Sequence, residues 1–298
     1  MGLEVVVKDV FKVYRLGKVE VQALRGLNAY VKDGEIVSII GPSGSGKSTL
    51  LNLIGGLDQP TAGSIRVGNI EVSGLSPREL TQYRRRTVGY IFQNLNLIPT
   101  LTAAENVELP MIALGFSRKQ RAERTRTLLN IVGLSQRMSH KPDELSGGEQ
   151  QRVAIASALA NDPPVILADE PTGELDTLNA KMVTDYLVKI SREFGKTVLL
   201  VTHDPNVARA TDRIMKIEDG IIKEVLAPTR LEAGIIASSS YIDHIKTRLV
   251  DLDLELKELD EMFRKAEIDG EEYTRRRNRL INIKSGLQEE LHRMGTVV

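Results

Sequence analysis

The chain has 298 residues, and its 40 Lys and Arg offset its 40 Asp and Glu, so the formal net charge is zero. That balance excludes a global field drawing the molecule to nucleic acid or to an anionic membrane. The absence of Cys excludes disulfides and thiolate metal sites, and no apolar run approaches the ~18 residues of a membrane span. The length suits one large domain with an appendage. Met1 to Glu4 lack the basic flank and apolar core of a signal peptide, and Val6 stands where a myristoylation motif needs Ser or Thr.

Residues 3–10 alternate around Val5, Val6 and Val7 and read as a strand, with Tyr14 following at its end. Residues 19–31 hold two strand-like runs around a Gly26 turn, and Lys32-Asp33-Gly34 is a tight turn. An antiparallel β-layer is expected here. The buried strand 35–40 then runs into Gly41-Pro42-Ser43-Gly44-Ser45-Gly46-Lys47-Ser48-Thr49, which fits the phosphate-loop pattern G-x-x-x-x-G-K-[ST]. Glycines let backbone N–H groups wrap a polyphosphate that larger side chains would hold off. Lys47 supplies a point charge for the β- and γ-phosphates, and the Ser48 hydroxyl can ligate Mg²⁺. Residues 48–54 read as the helix leaving the loop, its positive end aimed at the anion.

Turn residues 55–63 lead to a strand at 64–71, a helix at 77–86 ending in Arg84-Arg85-Arg86, and a strand at 88–93 that closes on Gln93. From Asn94 the texture turns helical. Thr102 and Glu105 have capping-box spacing at the head of one helix, and 117–132 reads as a second. Leu145-Ser146-Gly147-Gly148-Glu149 precedes a helix at about 150–160. A buried strand at 165–170 ends in Asp169 and Glu170. A loop follows to Asp176, then a helix at 179–194, a strand at 197–202 reaching His203, a short helix at 207–211, and a hairpin around Asp219-Gly220. Strands alternating with helices of this length imply a parallel sheet covered on both faces, so the fold class is an α/β P-loop core.

Four elements answer the needs of the phosphate loop. Asp169 ends an apolar strand, where a carboxylate can hold Mg²⁺, and Glu170 beside it can act as general base toward a water. Gln93 and His203 lie at other strand ends, within reach of water, Mg²⁺ or the γ-phosphate. Ser146-Gly147-Gly148 is a second glycine-rich helix start and suggests a second anion-binding surface.

With these residues in view, roughly residues 3–226 resemble the ATP-binding-cassette (ABC) ATPases. The resemblance implies an ATP-hydrolysing, Mg²⁺-dependent subunit that dimerises head to tail with two ATP between the copies. It implies Tyr14 against adenine and Gly41 to Thr49 as the Walker A loop, with Lys47 on the phosphates. Gln93, with Ser48 and Asp169, is implied at the metal, Glu170 as base and His203 as switch histidine. Ser146, Gly147, Gly148 and Asp176 are implied to act at the partner copy's nucleotide. Glu149 stands where the family most often has Gln, and Glu174 where a small residue or Asn is usual. Phe92 to Val107 further resembles the lipoprotein-release, macrolide-export and cell-division group. That implies a separate transmembrane permease as partner, no nucleic acid, and a cytoplasmic place on the inner face of the membrane. A soluble ABC ATPase not linked to transport is the alternative.

The expected domains are a cassette at residues 1–227, with a helical subdomain at about 94–160, a linker at 228–240 and a helical hairpin at 241–298. In the last, Ile242, Ile245, Leu249, Leu252, Leu256, Leu259 and Phe263 recur at alternating steps of three and four. Asp269-Gly270 is expected to break the pattern with a left-handed turn, and the seam resumes through Tyr273, Leu280, Ile283, Leu287, Leu291 and Met294. Such a tail suits tethering of two subunits or binding of a regulator.

Overall fold

The computed structural model describes residues 1–17, 19–228, 249, 252–253, 255–257, 259–260, 262–264 and 270–293. The chain divides into two compact units, Met1–Ala233 and Gly234–Val298.

In the first unit, β1 (Val5–Leu16), β2 (Val19–Val31), β4 (Ala62–Val67) and β5 (Ile70–Glu71) form a four-stranded antiparallel sheet in the order β2-β1-β4-β5. Three expectations shift here. The strand expected at 64–71 turns at Gly68 into β4 and β5. Tyr14 lies within β1, opposite Val21, rather than past its end. Residues 19–31 are one strand: Gly26 takes φ 74° where the register slips between the Val10–Leu27 and Phe11–Arg25 pairs, so it is a bulge. A bulge absorbs one extra residue while the ladder continues, and glycine bears the positive φ without a Cβ clash.

The second sheet has six strands in the order β10-β9-β3-β8-β7-β6. Its strands are β3 (Ile36–Ile40), β6 (Val88–Ile91), β7 (Val165–Asp169), β8 (Thr197–Val201), β9 (Arg213–Glu218) and β10 (Ile221–Leu226). All neighbours are parallel except β9 with β10. Alternate side chains feed two cores, as strand periodicity requires. Val37, Ile39, Val165, Leu167, Leu199 and Val201 join α1 (Lys47–Ile54) and the antiparallel sheet. Ile36, Ile166, Ala168, Val198 and Leu200 join α3 (Ala103–Ile112), α4 (Arg118–Ile131), α5 (Gly147–Ala158) and α6 (Thr177–Arg192). Central strands buried on both faces explain why they read as unbroken apolar runs. The remaining α-helices described in this unit are α2 (Pro77–Arg86) and α7 (Pro205–Arg209).

Because β3, β6, β7 and β8 are parallel, the segments after them gather at one edge. An α/β sheet binds ligands at this edge, outside the carboxyl ends of its strands.

In the second unit, α8 (Gly270–Arg293) pairs with helical residues between 249 and 264. Lys284 Nζ donates to Asp253 at 2.5 Å, Tyr273 Oη to Asp260 at 2.7 Å, and the Phe263 and Tyr273 rings stack at 4.4 Å. These pairs converge as the chain approaches residues 265–269, which makes the two arms antiparallel. Leu249, Leu252 and Leu259 are buried, and Phe263 is exposed. Gly270 opens α8, and the turn expected at Asp269-Gly270 rests on Asp269, outside the described residues. Asp269, the linker from residue 229, Ile242, Ile245, Met294 and the side chains of Ile283, Leu287 and Leu291 lie outside the described residues.

Candidate functional site

The loop Gly41 to Gly46 bridges β3 and α1, and its crest, Pro42, Ser43 and Gly44, is exposed. At Gly41 the backbone runs so close to β9 that a Cβ would stand 2.0 Å from the Ile217 carbonyl oxygen. The Gly220 N–H, from the β9–β10 turn, donates to the Ser45 carbonyl at 3.2 Å, and the Gly220 carbonyl accepts from the Arg25 N–H at 3.0 Å. That turn therefore roofs the loop. Ser45 Oγ is buried without a hydrogen-bond partner in the middle of it, a donor available to an anion.

Lys47, the first residue of α1, is buried, and its Nζ donates to the Gly41 and Pro42 carbonyls at 2.9 and 2.8 Å. Burial pushes its pKa down, opposed by the charges of Glu170 and Asp169. Ser48 Oγ donates to Asp169 Oδ1 at 3.0 Å, across 121 positions of sequence. Burial raises the Asp169 carboxyl above its ordinary value; the Ser48 hydrogen bond lowers it, the Glu170 charge raises it, and Lys47 lowers it. Glu170 leaves β7 with φ 45°, a left-handed conformation that costs a non-glycine residue about 1–3 kcal/mol. Its own N–H still donates to the Val201 carbonyl at 3.1 Å, so the sheet holds the residue where the strand ends. His203 Nδ1 lies 3.4 Å from Glu170 Oε2. The hydrogen bond to Glu170 raises the His203 pKa, against the lowering effect of burial. Gln93 is exposed two residues beyond β6 and lines one cleft with Asp169, Asp58 and Asn52. Lys47, Ser48, Asp169, Glu170, His203 and Gln93 are thus brought to one sheet edge.

Tyr14 is placed beside the loop's end by a contact the sequence did not announce. Its hydroxyl donates to Asp58 Oδ2 at 2.9 Å and faces the Thr49 side chain. Lys12 Nζ sits 4.8 Å from the ring centroid and donates to Asp58 Oδ1 at 2.7 Å. Burial works to raise the Asp58 carboxyl, but the bonds from Lys12, the Gln59 N–H and Tyr14 hold it below its ordinary value.

Ser146, Gly147, Gly148 and Asp176 form a second cluster where α5 meets α6. Ser146 caps α5 in a capping box: Glu149 N–H donates to Ser146 Oγ at 3.3 Å, and Ser146 N–H and Oγ donate to Glu149 Oε2 at 2.9 and 3.0 Å. Arg137 Nε lies 3.2 Å from Glu149 Oε1. The Ser146 N–H holds the Glu149 carboxyl below its ordinary value. Asp176 caps α6, its Oδ1 accepting from the Asn179 N–H at 2.9 Å and its Oδ2 from Asn179 Nδ2 at 2.6 Å. Asn179 and the Asp58 clamp are the residues that sequence reasoning missed. The Asp-x-x-Asn spacing after Leu175 was a readable cap signal, whereas nothing near Asp58 points to Tyr14.

A phosphate loop on β3, two carboxylates ending β7 and a histidine after β8 define a P-loop nucleotide-binding protein. Residues 24–173 match the family profile described as ABC transporter. An uncharacterized ABC transporter ATP-binding protein of Thermotoga maritima is 52% identical over 217 residues, 73% of this chain and 92% of that protein. A macrolide export ATP-binding/permease protein MacB of Syntrophobacter fumaroxidans is 44% identical over 72% of this chain, which spans 30% of that protein. Among solved structures, a dimeric post-hydrolysis state of the ATP-binding cassette MJ0796, bound to ADP and Pi, matches with TM-score 0.71 and 48% identity, covering 75% of this chain and 98% of that one. The chain belongs to the ABC transporter family.

Proposed function

We propose that this chain is the ATP-binding and ATP-hydrolysing subunit of an ABC transporter, of the macrolide-export-like kind. The observation that carries the reading is the convergence of Lys47, Ser48, Asp169, Glu170 and His203 at one sheet edge. In this reading the loop N–H groups and Lys47 hold the ATP phosphates, and Tyr14 borders the adenine. Glu170 sits to take a proton from the attacking water, and the His203 side chain sits to contact the γ-phosphate and hold the Glu170 carboxylate in place.

The oxygen donors Ser48 and Asp169, with Gln93 in the same cleft, suit Mg²⁺, which takes few protein ligands and fills its shell with water and phosphate oxygens. Bound there, Mg²⁺ would neutralise part of the phosphate charge.

The second cluster, Ser146 to Gly148 with Asp176, would complete a partner copy's nucleotide site, giving a head-to-tail homodimer around two ATP. The membrane partner would seat in a cleft of about 540 Å³ lined by Phe92, Leu95, Leu97, Ile98, Leu109 and Pro110. No helix among the described residues is long and apolar enough to cross a membrane. A separate permease chain, as the family resemblance implies, would hold this subunit at the inner face of the membrane. The cassette would occupy residues 1–227 and the helical hairpin residues 241–298.

The test is the Glu170→Gln variant. It should keep ATP binding, lose turnover by about 10²–10⁴-fold, and accumulate a dimer with ATP by light scattering. A strict monomer that still binds ATP would sink the sandwich reading.

A further inference from the structure

We propose that Asn179 is a positioning residue that locks the Asp176 turn to the Ser146–Gly148 turn, so that the two segments offered to a partner copy move as one body. The inference rests on the reading above, which places both turns at the partner's nucleotide. Asn179 lies between them with a different atom on each. Its Nδ2 and its N–H both donate to Asp176, at 2.6 and 2.9 Å, so both carboxylate oxygens of Asp176 are held by one residue. On the opposite side its Oδ1 occupies the space where Gly148 has no side chain: a Cβ there would lie 2.3 Å from that oxygen and 2.5 Å from Asn179 Cγ. Leu175 reaches the same helix start, with a methyl 3.8 Å from where a Cβ of Gly147 would stand.

The amide is the side chain these two neighbours require. Its –NH₂ end donates to the carboxylate, and its flat, uncharged carbonyl end fits against a residue with no side chain. Neither turn touches the other through a hydrogen bond of its own. The Ser146 side chain is engaged with Glu149, and Asp176 with Asn179. A rotation of α6 about its start therefore reaches the glycine turn through Asn179, with Leu175 beside it as the apolar contact.

The test uses the full-length chain in the Glu170→Gln background, with dimer measured by light scattering against ATP concentration. Asn179→Ala should raise the ATP concentration at half-maximal dimer by about tenfold, the scale of one hydrogen bond to a charged group. ATP affinity of the monomer, measured at a protein concentration too low for dimerisation, should stay unchanged. Asn179→Asp keeps the shape against Gly148 but sets a carboxylate against Asp176, and should be worse than Asn179→Ala, an order that a mere space-filling role would not produce. Adding Asn179→Ala to Asp176→Ala should do little further harm. Undisturbed dimerisation in Asn179→Asp, or fully additive losses in the double variant, overturns the inference. Failure of Glu170→Gln alone to dimerise overturns the functional reading and the inference together, and that control is read first.

Discussion

Two helices of this protein begin at glycine-rich turns, and the two starts are built in opposite ways. At α1 the turn is shaped from outside. The Ile217 carbonyl presses on Gly41, the Gly220 N–H holds Ser45, and the charged neighbours of Lys47 and Ser48 arrive from β7, more than a hundred residues away. At α5 the turn is satisfied from within: Ser146 and Glu149 close a capping box three residues wide, and Asp176 is closed by Asn179 over the same span. A site with converging charges needs the tertiary fold to hold them. A surface to be met by another molecule needs only local bonds to keep its shape.

Adding one methyl group breaks the symmetry between the two turns and should give the largest effect. Gly41→Ala puts a Cβ 2.0 Å from a backbone carbonyl at φ 153°, where no side chain can move aside. It should abolish nucleotide binding and lower stability by several kcal/mol in denaturant unfolding. Gly148→Ala meets the Asn179 side chain rather than backbone and displaces its amide from Asp176, so it should cost about 1–3 kcal/mol, less than Gly41→Ala.

The two regions should also part company with pH. His203 has a raised pKa, so its bond to Glu170 contributes fully below the ordinary histidine value of 6.5 and is lost as pH rises through the folded value. Glu149 has a lowered pKa, so its capping contribution is present above the ordinary 4.5 and is lost as pH falls through the folded value. The first site should loosen on the alkaline side and the second on the acid side. Unfolding free energies of His203→Ala and Glu149→Ala, each subtracted from wild type across the pH range, should converge at opposite ends. Convergence at the same end for both would refute the assignment.

Much of this was legible because it is local. The phosphate loop, the Thr102–Glu105 capping box and helix α2 stand where their residues announce them, since caps, prolines and glycines act over three or four positions. The bulge at Gly26 was read as a turn because a glycine with positive φ serves both, and only the pairing partner in β1 decides between them. Strand order was not readable at all. That β3 lies between β8 and β9 follows from long-range packing, as do, each separately, the Ser48–Asp169 bond and the Asp58 clamp on Tyr14. In the candidate site the residue identities were therefore visible, while the contacts that aim them were not.

The smallest effect should come from removing the tail. Both residue clusters belong to the first unit, Met1–Ala233. Truncation after Ala227 should leave ATP affinity within about twofold of wild type by calorimetry, the scatter expected of surface changes. A large loss would show that the tail supports the α1 turn.

The roof over the phosphate loop also sets an order of events during synthesis. Residues 41–49 leave the ribosome early, and by the time His203 has emerged every charged side chain of the first half-site has been made. The loop is still open at that moment, because Ile217 and Gly220, which define its far wall, belong to a hairpin that has yet to leave the ribosome. β9 is also the strand that covers β3 on the side away from β8. Nucleotide competence therefore arrives with the last hairpin of the unit rather than with the last of its chemically active residues, and a nascent chain halted before β9 emerges carries the full set of side chains on a sheet that cannot yet use them.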